Sequence, residues 1–117
     1  MSRTAVLISC SEEEAIKVRT RAEYDFRGLS AYILNIVLRS VELDEKLLGQ
    51  FHKLTPLAAA VRVPGRRTAV LIRCSDDQAS RIRSAAKRRS TTISNYVLTA
   101  LNRSWDIQAG QFGLAYS

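Results

Sequence analysis

"RTAVLISCS" occupies residues 3–11 and "RTAVLIRCS" occupies residues 67–75, so one nine-residue phrase returns 64 positions later with a single change, Ser9 against Arg73. The agreement continues past the phrase. Laid over one another without a gap, 3–41 and 67–105 are identical at 16 of 39 positions: Arg3, Thr4, Ala5, Val6, Leu7, Ile8, Cys10, Ser11, Ala15, Arg19, Ala22, Ser30, Tyr32, Leu34, Arg39 and Ser40 recur at +64. Val18/Ile82, Leu29/Ile93 and Ile33/Val97 are mild exchanges. Similarity at one fixed offset marks an internal duplication, which sets the unit in which everything else is read.

A unit of roughly 40 residues sits near the lower limit for a chain that folds alone without metal, disulfide or partner. The two copies are therefore expected to complete one shared core. With 117 residues and 46% hydrophobic content, the chain has the composition of one globular domain. No apolar run approaches the roughly 20 residues of a membrane span, and "MSRTAVLISCSEEE" lacks the long apolar stretch of a signal peptide. The expected setting is the cytoplasm. Cys10 and Cys74 are equivalent in the two copies, and His52 is the single histidine. That set makes no zinc site, and the thiols are expected as small buried hydrophobes.

The net charge of +7 is unevenly placed. Residues 1–41 carry six Lys/Arg against five Asp/Glu, and 42–65 carry three of each. Residues 66–105 carry nine against two, so the excess belongs to the second copy. A basic surface of this kind is the footprint of a polyanion binder.

Each copy opens on a run rich in Val, Ile, Leu and Thr, as a strand does. Ser11 with Glu14, and Ser75 with Gln78, then form S-x-x-E and S-x-x-Q capping boxes. Acids fill the first turns that follow (Glu12, Glu13, Asp76, Asp77), where the helix dipole favours them. Ala15, Val18 and Ala22, with Ile16 beside them, give the first helix its stripe, matched by Ala79, Ile82 and Ala86. Gly28 and Thr92 are acceptable N-caps for a second helix. Leu29, Tyr32, Ile33, Ile36 and Val37 line one face of it, matched by Ile93, Tyr96, Val97, Ala100 and Leu101. In the first copy Leu43, Leu47 and Leu48 extend the pattern to Gly49; in the second the helix is expected to end near Trp105. The order is strand–helix–helix, twice, with Pro56 and a Pro64-Gly65 turn in the connector.

This arrangement resembles the ribbon–helix–helix family of small DNA-binding proteins. The residues that carry the resemblance are the two strands, the capping boxes, and second helices opening on "SAYI" and "SNYV". It implies a mainly α fold with a two-stranded antiparallel ribbon, in which two fused ribbon–helix–helix repeats form one intramolecular pseudo-dimer. Repeat 1 spans 1–49, the connector 50–66, repeat 2 67–105, and 106–117 is expected as a flexible tail. Phe112, Leu114 and Tyr116 give that tail an alternative use, a segment that orders on a partner.

By the same resemblance the ribbon enters the major groove of double-stranded DNA. Cys10, Ile8 and Val6 then point inward with Cys74, Ile72 and Val70. Arg3, Ala5, Leu7, Ser9, Arg67, Ala69, Leu71 and Arg73 face the bases. With a dyad near Leu7 and Leu71, Ser9 lies opposite Ala69 and Arg73 opposite Ala5, which puts the cysteines at opposite ends. Second-helix amides hold phosphates: Ile93 and Ser94 with Lys87, Arg88 and Arg89 in repeat 2, and a weaker site at Gly28, Leu29 and Ser30 in repeat 1. "KRRS" also reads as an ordinary solvated helix end, where cations suit the dipole. Tyr32 and Tyr96 are core or phosphate-facing rings, and Trp105 closes the core.

The face departs from the family's polar ribbon, since Ala and Leu occupy its centre. An apolar docking patch is the other use for it. No catalytic constellation, phosphate loop or dinucleotide turn is present in the sequence, so neither an enzyme nor a cofactor is expected. Three functions compete: a transcriptional regulator associated with the nucleoid, an antitoxin-like or other protein-binding module using the ribbon face, connector or tail, and a relaxosome accessory protein. Self-association on DNA accompanies the first.

Overall fold

The computed structural model describes residues 3–51, 53–59 and 65–114, with the backbone alone over 107–114. The chain is mainly helical with one two-stranded antiparallel sheet. Its elements are β1 (Arg3–Ser11), α1 (Glu12–Tyr24), α2 (Leu29–Phe51), β2 (Arg67–Ser75), α3 (Asp76–Arg88) and α4 (Ile93–Leu114). The strands pair with Leu7 facing Leu71, Ser9 facing Ala69 and Ala5 facing Arg73. Alternation fixes that register: a slip of one residue would turn Val6, Ile8, Cys10, Val70, Ile72 and Cys74 from core to solvent. All six are buried. Cys10 faces Thr68 and Cys74 faces Thr4, so the free thiols lie six ladder rungs apart, about 20 Å at strand rise.

Both capping boxes form as expected. The Ser11 hydroxyl accepts from the Glu14 amide and the Glu14 carboxylate from the Ser11 amide, and Ser75 and Gln78 repeat the exchange. Such a cap contributes about 1 kcal/mol. Helices α1 and α3 end alike. Arg27 N–H donates to the Ala22 carbonyl and Phe26 N–H to that of Glu23, just as Thr91 reaches Ala86 and Ser90 reaches Lys87. These are Schellman closures, which place one residue in the left-handed region, usually glycine. Here Phe26 (φ 57°) and Ser90 (φ 54°) hold it.

The core joins the inner ribbon face to Ala15, Val18, Ala22, Ala79, Ile82 and Ala86, and to Tyr32, Ile33, Val37, Tyr96, Val97 and Leu101 from α2 and α4. Ile16 stands exposed on the far side of α1. The α2 stripe runs differently from its sequence pattern. Val41 and Asp44 are buried, whereas Leu43 is exposed and Leu47 and Leu48 are half-buried. A carboxylate takes a core position because two groups from the second half of the chain pair with it. Helix α2 also continues to Phe51 instead of Gly49, and α4 passes Trp105 to Leu114, so the backbone at 106–114 is helical where a tail was expected. Trp105 is buried, donates from Nε1 to the Tyr32 hydroxyl at 2.9 Å, and carries Lys17 and Arg21 over its ring. The turn at Gly65 has φ 144°, a conformation that glycine adopts without strain. Pro64, His52 and the side chains of Phe112, Leu114 and Tyr116 lie outside the described residues.

Candidate nucleic-acid interface

The outward ribbon face follows from the same alternation that builds the core. Arg3, Leu7, Ser9, Arg67, Ala69, Leu71 and Arg73 are exposed, and Ala5 is half-covered. Its two ends are unlike. Residues two rungs off register on one face are diagonal neighbours roughly 7–8 Å apart. At one end that relation joins Arg67 to Ser9, and the guanidinium donates to the Ser9 hydroxyl at 3.1 Å. At the other it joins Arg3 to Arg73, two cations side by side. The single change in the repeated phrase therefore concentrates positive charge at one end.

Each end of the ribbon is tied to the start of a second helix. The Arg73 amide donates to the Ser30 hydroxyl and the Ser9 amide to the Ser94 hydroxyl, both at 2.9 Å. These bonds cross the repeats. Arg73, in the second half of the sequence, lies at the start of α2, and Ser9, in the first half, lies at the start of α4. The sequence divides the basic residues by repeat; the tertiary structure divides them by ribbon end.

The helix starts differ in cover. Gly28 provides α2 with no side-chain cap, and a Cβ placed there would meet nothing within 4 Å. At α4, the Thr92 hydroxyl caps the Asn95 amide. The Asn95 side chain donates to the Ala58 carbonyl and the Thr91 hydroxyl. The connector thus lies along this end, held also by Leu57 N–H on the Arg89 carbonyl and by buried Leu54. Between it and α4 opens a cleft of about 410 Å³ whose lining includes Ser9, Leu57, Ala59, Arg67, Thr92 and Leu98.

Of the three cations expected on phosphates in the second repeat, Lys87 and Arg88 are exposed. Arg89 requires a correction. Its guanidinium grips Asp44 through Nη2 at 2.7 Å and Nε at 3.0 Å, while Nη1 donates to the Thr55 carbonyl. The hydrogen bond to Asp44, foremost, pushes its pKa up. Arg89 is a half-buried strut between α3, α2 and the connector. Sequence reasoning missed it because Asp44 lies 45 residues away. The signal was a lone acid on an apolar stripe.

Tyr96 completes that cluster. Its hydroxyl donates to Asp44 Oδ2 at 3.0 Å and pairs with the Ser40 hydroxyl at 3.2 Å. Burial, chiefly, pushes its pKa up to about 12. Tyr32 and Tyr96 both direct their hydroxyls into the protein, so neither is a phosphate-facing ring. Arg81 and Glu45 form a second, half-exposed ion pair between α3 and α2. Burial raises both thiols' pKa.

Among the described residues, no group of His, Cys, Asp and Glu side chains could hold a metal ion, and no helix is long and apolar enough to cross a membrane. No protein-family model, curated protein or solved structure matches the chain.

Proposed function

We propose that the chain is a double-stranded DNA-binding regulator built as a tandem ribbon–helix–helix pseudo-dimer, with the ribbon in the major groove and a phosphate held at the start of each second helix. The observation that carries this reading is the ribbon itself. It is an exposed two-stranded antiparallel element of a width the major groove admits. It bears Arg3 and Arg73 at one end and Arg67 at the other, with a helix N-terminus tied beside each end. Arginine takes guanine bidentately, and Ala5, Leu7, Ala69 and Leu71 suit thymine methyl groups.

In this reading Lys87 and Arg88 serve the α4 phosphate. Arg3 and Arg73 supply the α2 end with the charge that its own turn lacks. The two grips are then more nearly balanced than the charge of each repeat implies.

Fluorescence anisotropy against random duplex DNA across a salt series tests the proposal. Several phosphate contacts give a steep fall in affinity with salt, and Arg73→Ala and Arg88→Glu should each weaken binding and flatten that slope. An absence of binding at low salt would overturn it. A protein-binding module is the second reading, favoured by Leu7 and Leu71, which leave 62% and 46% of their surface in water at the ribbon's centre.

A further inference from the structure

The turns after α1 and α3 occupy equivalent positions in the two copies and share one backbone form, yet their surfaces are opposite. The first reads Glu23-Tyr24-Asp25-Phe26, all exposed, with Arg27 following. Phe26 is 98% exposed and Tyr24 83%. Phe26 also occupies the left-handed Schellman position, which glycine adopts freely and a residue with a Cβ does not. A bulky ring is thus held on a strained backbone and touches almost nothing in its own chain.

The second turn carries exposed Lys87 and Arg88, Arg89 being neutralised by Asp44. Beside it lies the cleft of about 410 Å³, where Ser90 and Thr91 meet Leu57, Ala59 and Leu98, and whose lining also holds Arg67 and Glu14, the latter engaged by the Ser11 amide. The first turn belongs to the ribbon end where Arg73 binds Ser30, and the second to the end where Ser9 binds Ser94. One molecule therefore presents an aromatic knob flanked by acids at one end, and a partly apolar cleft flanked by cations at the other.

We propose that copies of this chain associate head to tail, the Phe26 ring of one molecule entering the Leu57/Ala59/Leu98 cleft of the next, with Glu23 and Asp25 against Lys87 and Arg88. Such a contact joins different surfaces, so each added molecule offers a free knob and a free cleft, and the assembly grows beyond a two-fold dimer unless it closes into a ring. Tyr24 adds an aromatic face for the cations. The patch is small, which places the association in the weak, transient class. The proposal does not depend on DNA binding; because both readings use Lys87, Arg88 and the α4 start, a molecule joined at its cleft cannot also hold a phosphate there.

Sedimentation velocity of the full chain without nucleic acid tests it, so its outcome and that of the DNA assay fail independently. The wild type should show average mass rising with concentration, and the rise should diminish at high salt. Phe26→Gly should abolish the rise while the melting temperature stays level or increases, because glycine relieves the strained position. Glu23→Lys with Asp25→Lys should sediment as a monomer, as should Lys87→Glu with Arg88→Glu. An equimolar mixture of these two charge variants should associate again, since opposite charges then meet at every contact. A wild type that stays monomeric at all concentrations, a Phe26→Gly chain that still associates, or a mixture that stays monomeric would each overturn the proposal.

Discussion

Replacing Arg89 by methionine separates two uses of a basic residue in the "KRRS" turn. A solvated cation on that turn contributes little to stability, within about 0.5 kcal/mol on removal. The structure gives Arg89 another role, since its guanidinium is the cation for Asp44, which is 4% exposed. Leaving one member of a buried pair alone costs about 3–5 kcal/mol. Asp44 keeps the Tyr96 hydroxyl as a donor, so the lower end applies, about 3 kcal/mol against a total of roughly 5–15 kcal/mol.

With a urea dependence of about 1.5 kcal/mol/M, the unfolding midpoint of Arg89→Met should fall by about 2 M. Asp44→Leu combined with Arg89→Met removes both charges. It should be less destabilised than Arg89→Met alone, with a coupling energy of about 2 kcal/mol. Circular dichroism through a urea titration near neutral pH measures all four members of the cycle. An Arg89→Met midpoint equal to wild type, or a double variant no better than the single, would refute the strut.

Alkaline conditions should expose the same cluster. With the Tyr96 pKa pushed up to about 12 from an ordinary 10, the folded protein keeps a proton that the unfolded chain loses across that interval. The stabilisation is full below pH 10 and disappears as pH rises towards 12, a loss of about 2–3 kcal/mol in all. Cys10 and Cys74, raised by burial from 9.0, start a decline of the same sign near pH 9. Above pH 10 the urea midpoint of wild type should fall more steeply than that of Tyr96→Phe, closing the gap between them; parallel curves would remove Tyr96 from this role. Both thiols should resist a thiol-specific reagent in the native protein and react after denaturation, without forming a Cys10–Cys74 disulfide. Rapid native labelling of either would contradict their burial.

Much of the fold was legible because the sequence states it twice. Alternation divided each of β1 and β2 into two faces, but both are largely apolar, so it was the family resemblance that indicated which one enters the core and where the dyad falls, with Leu7 against Leu71. The caps were legible for a local reason: Ser11 and Glu14, like Ser75 and Gln78, are three residues apart, and their geometry needs only a helix start. The periodic stripe of α2 was legible as far as Val37. It then misled at Leu43 and Asp44, because hydrophobicity alone cannot anticipate a charged partner arriving from another element.

The sequence by itself determined the repeated unit, the order of its strand and helices, the capped helix starts and the excess of positive charge in the second copy. These are properties of neighbours within a few residues or of one fixed offset. Only the tertiary structure decided where that charge goes. The antiparallel ribbon carries Arg73 across to the α2 end, beside Arg3 and Ser30, while the connector folds over α4, shapes the cleft at Leu57 and Ala59, and joins Arg89 to Asp44. Contacts between residues tens of positions apart depend on how whole elements pack, and no local pattern of residues encodes that packing.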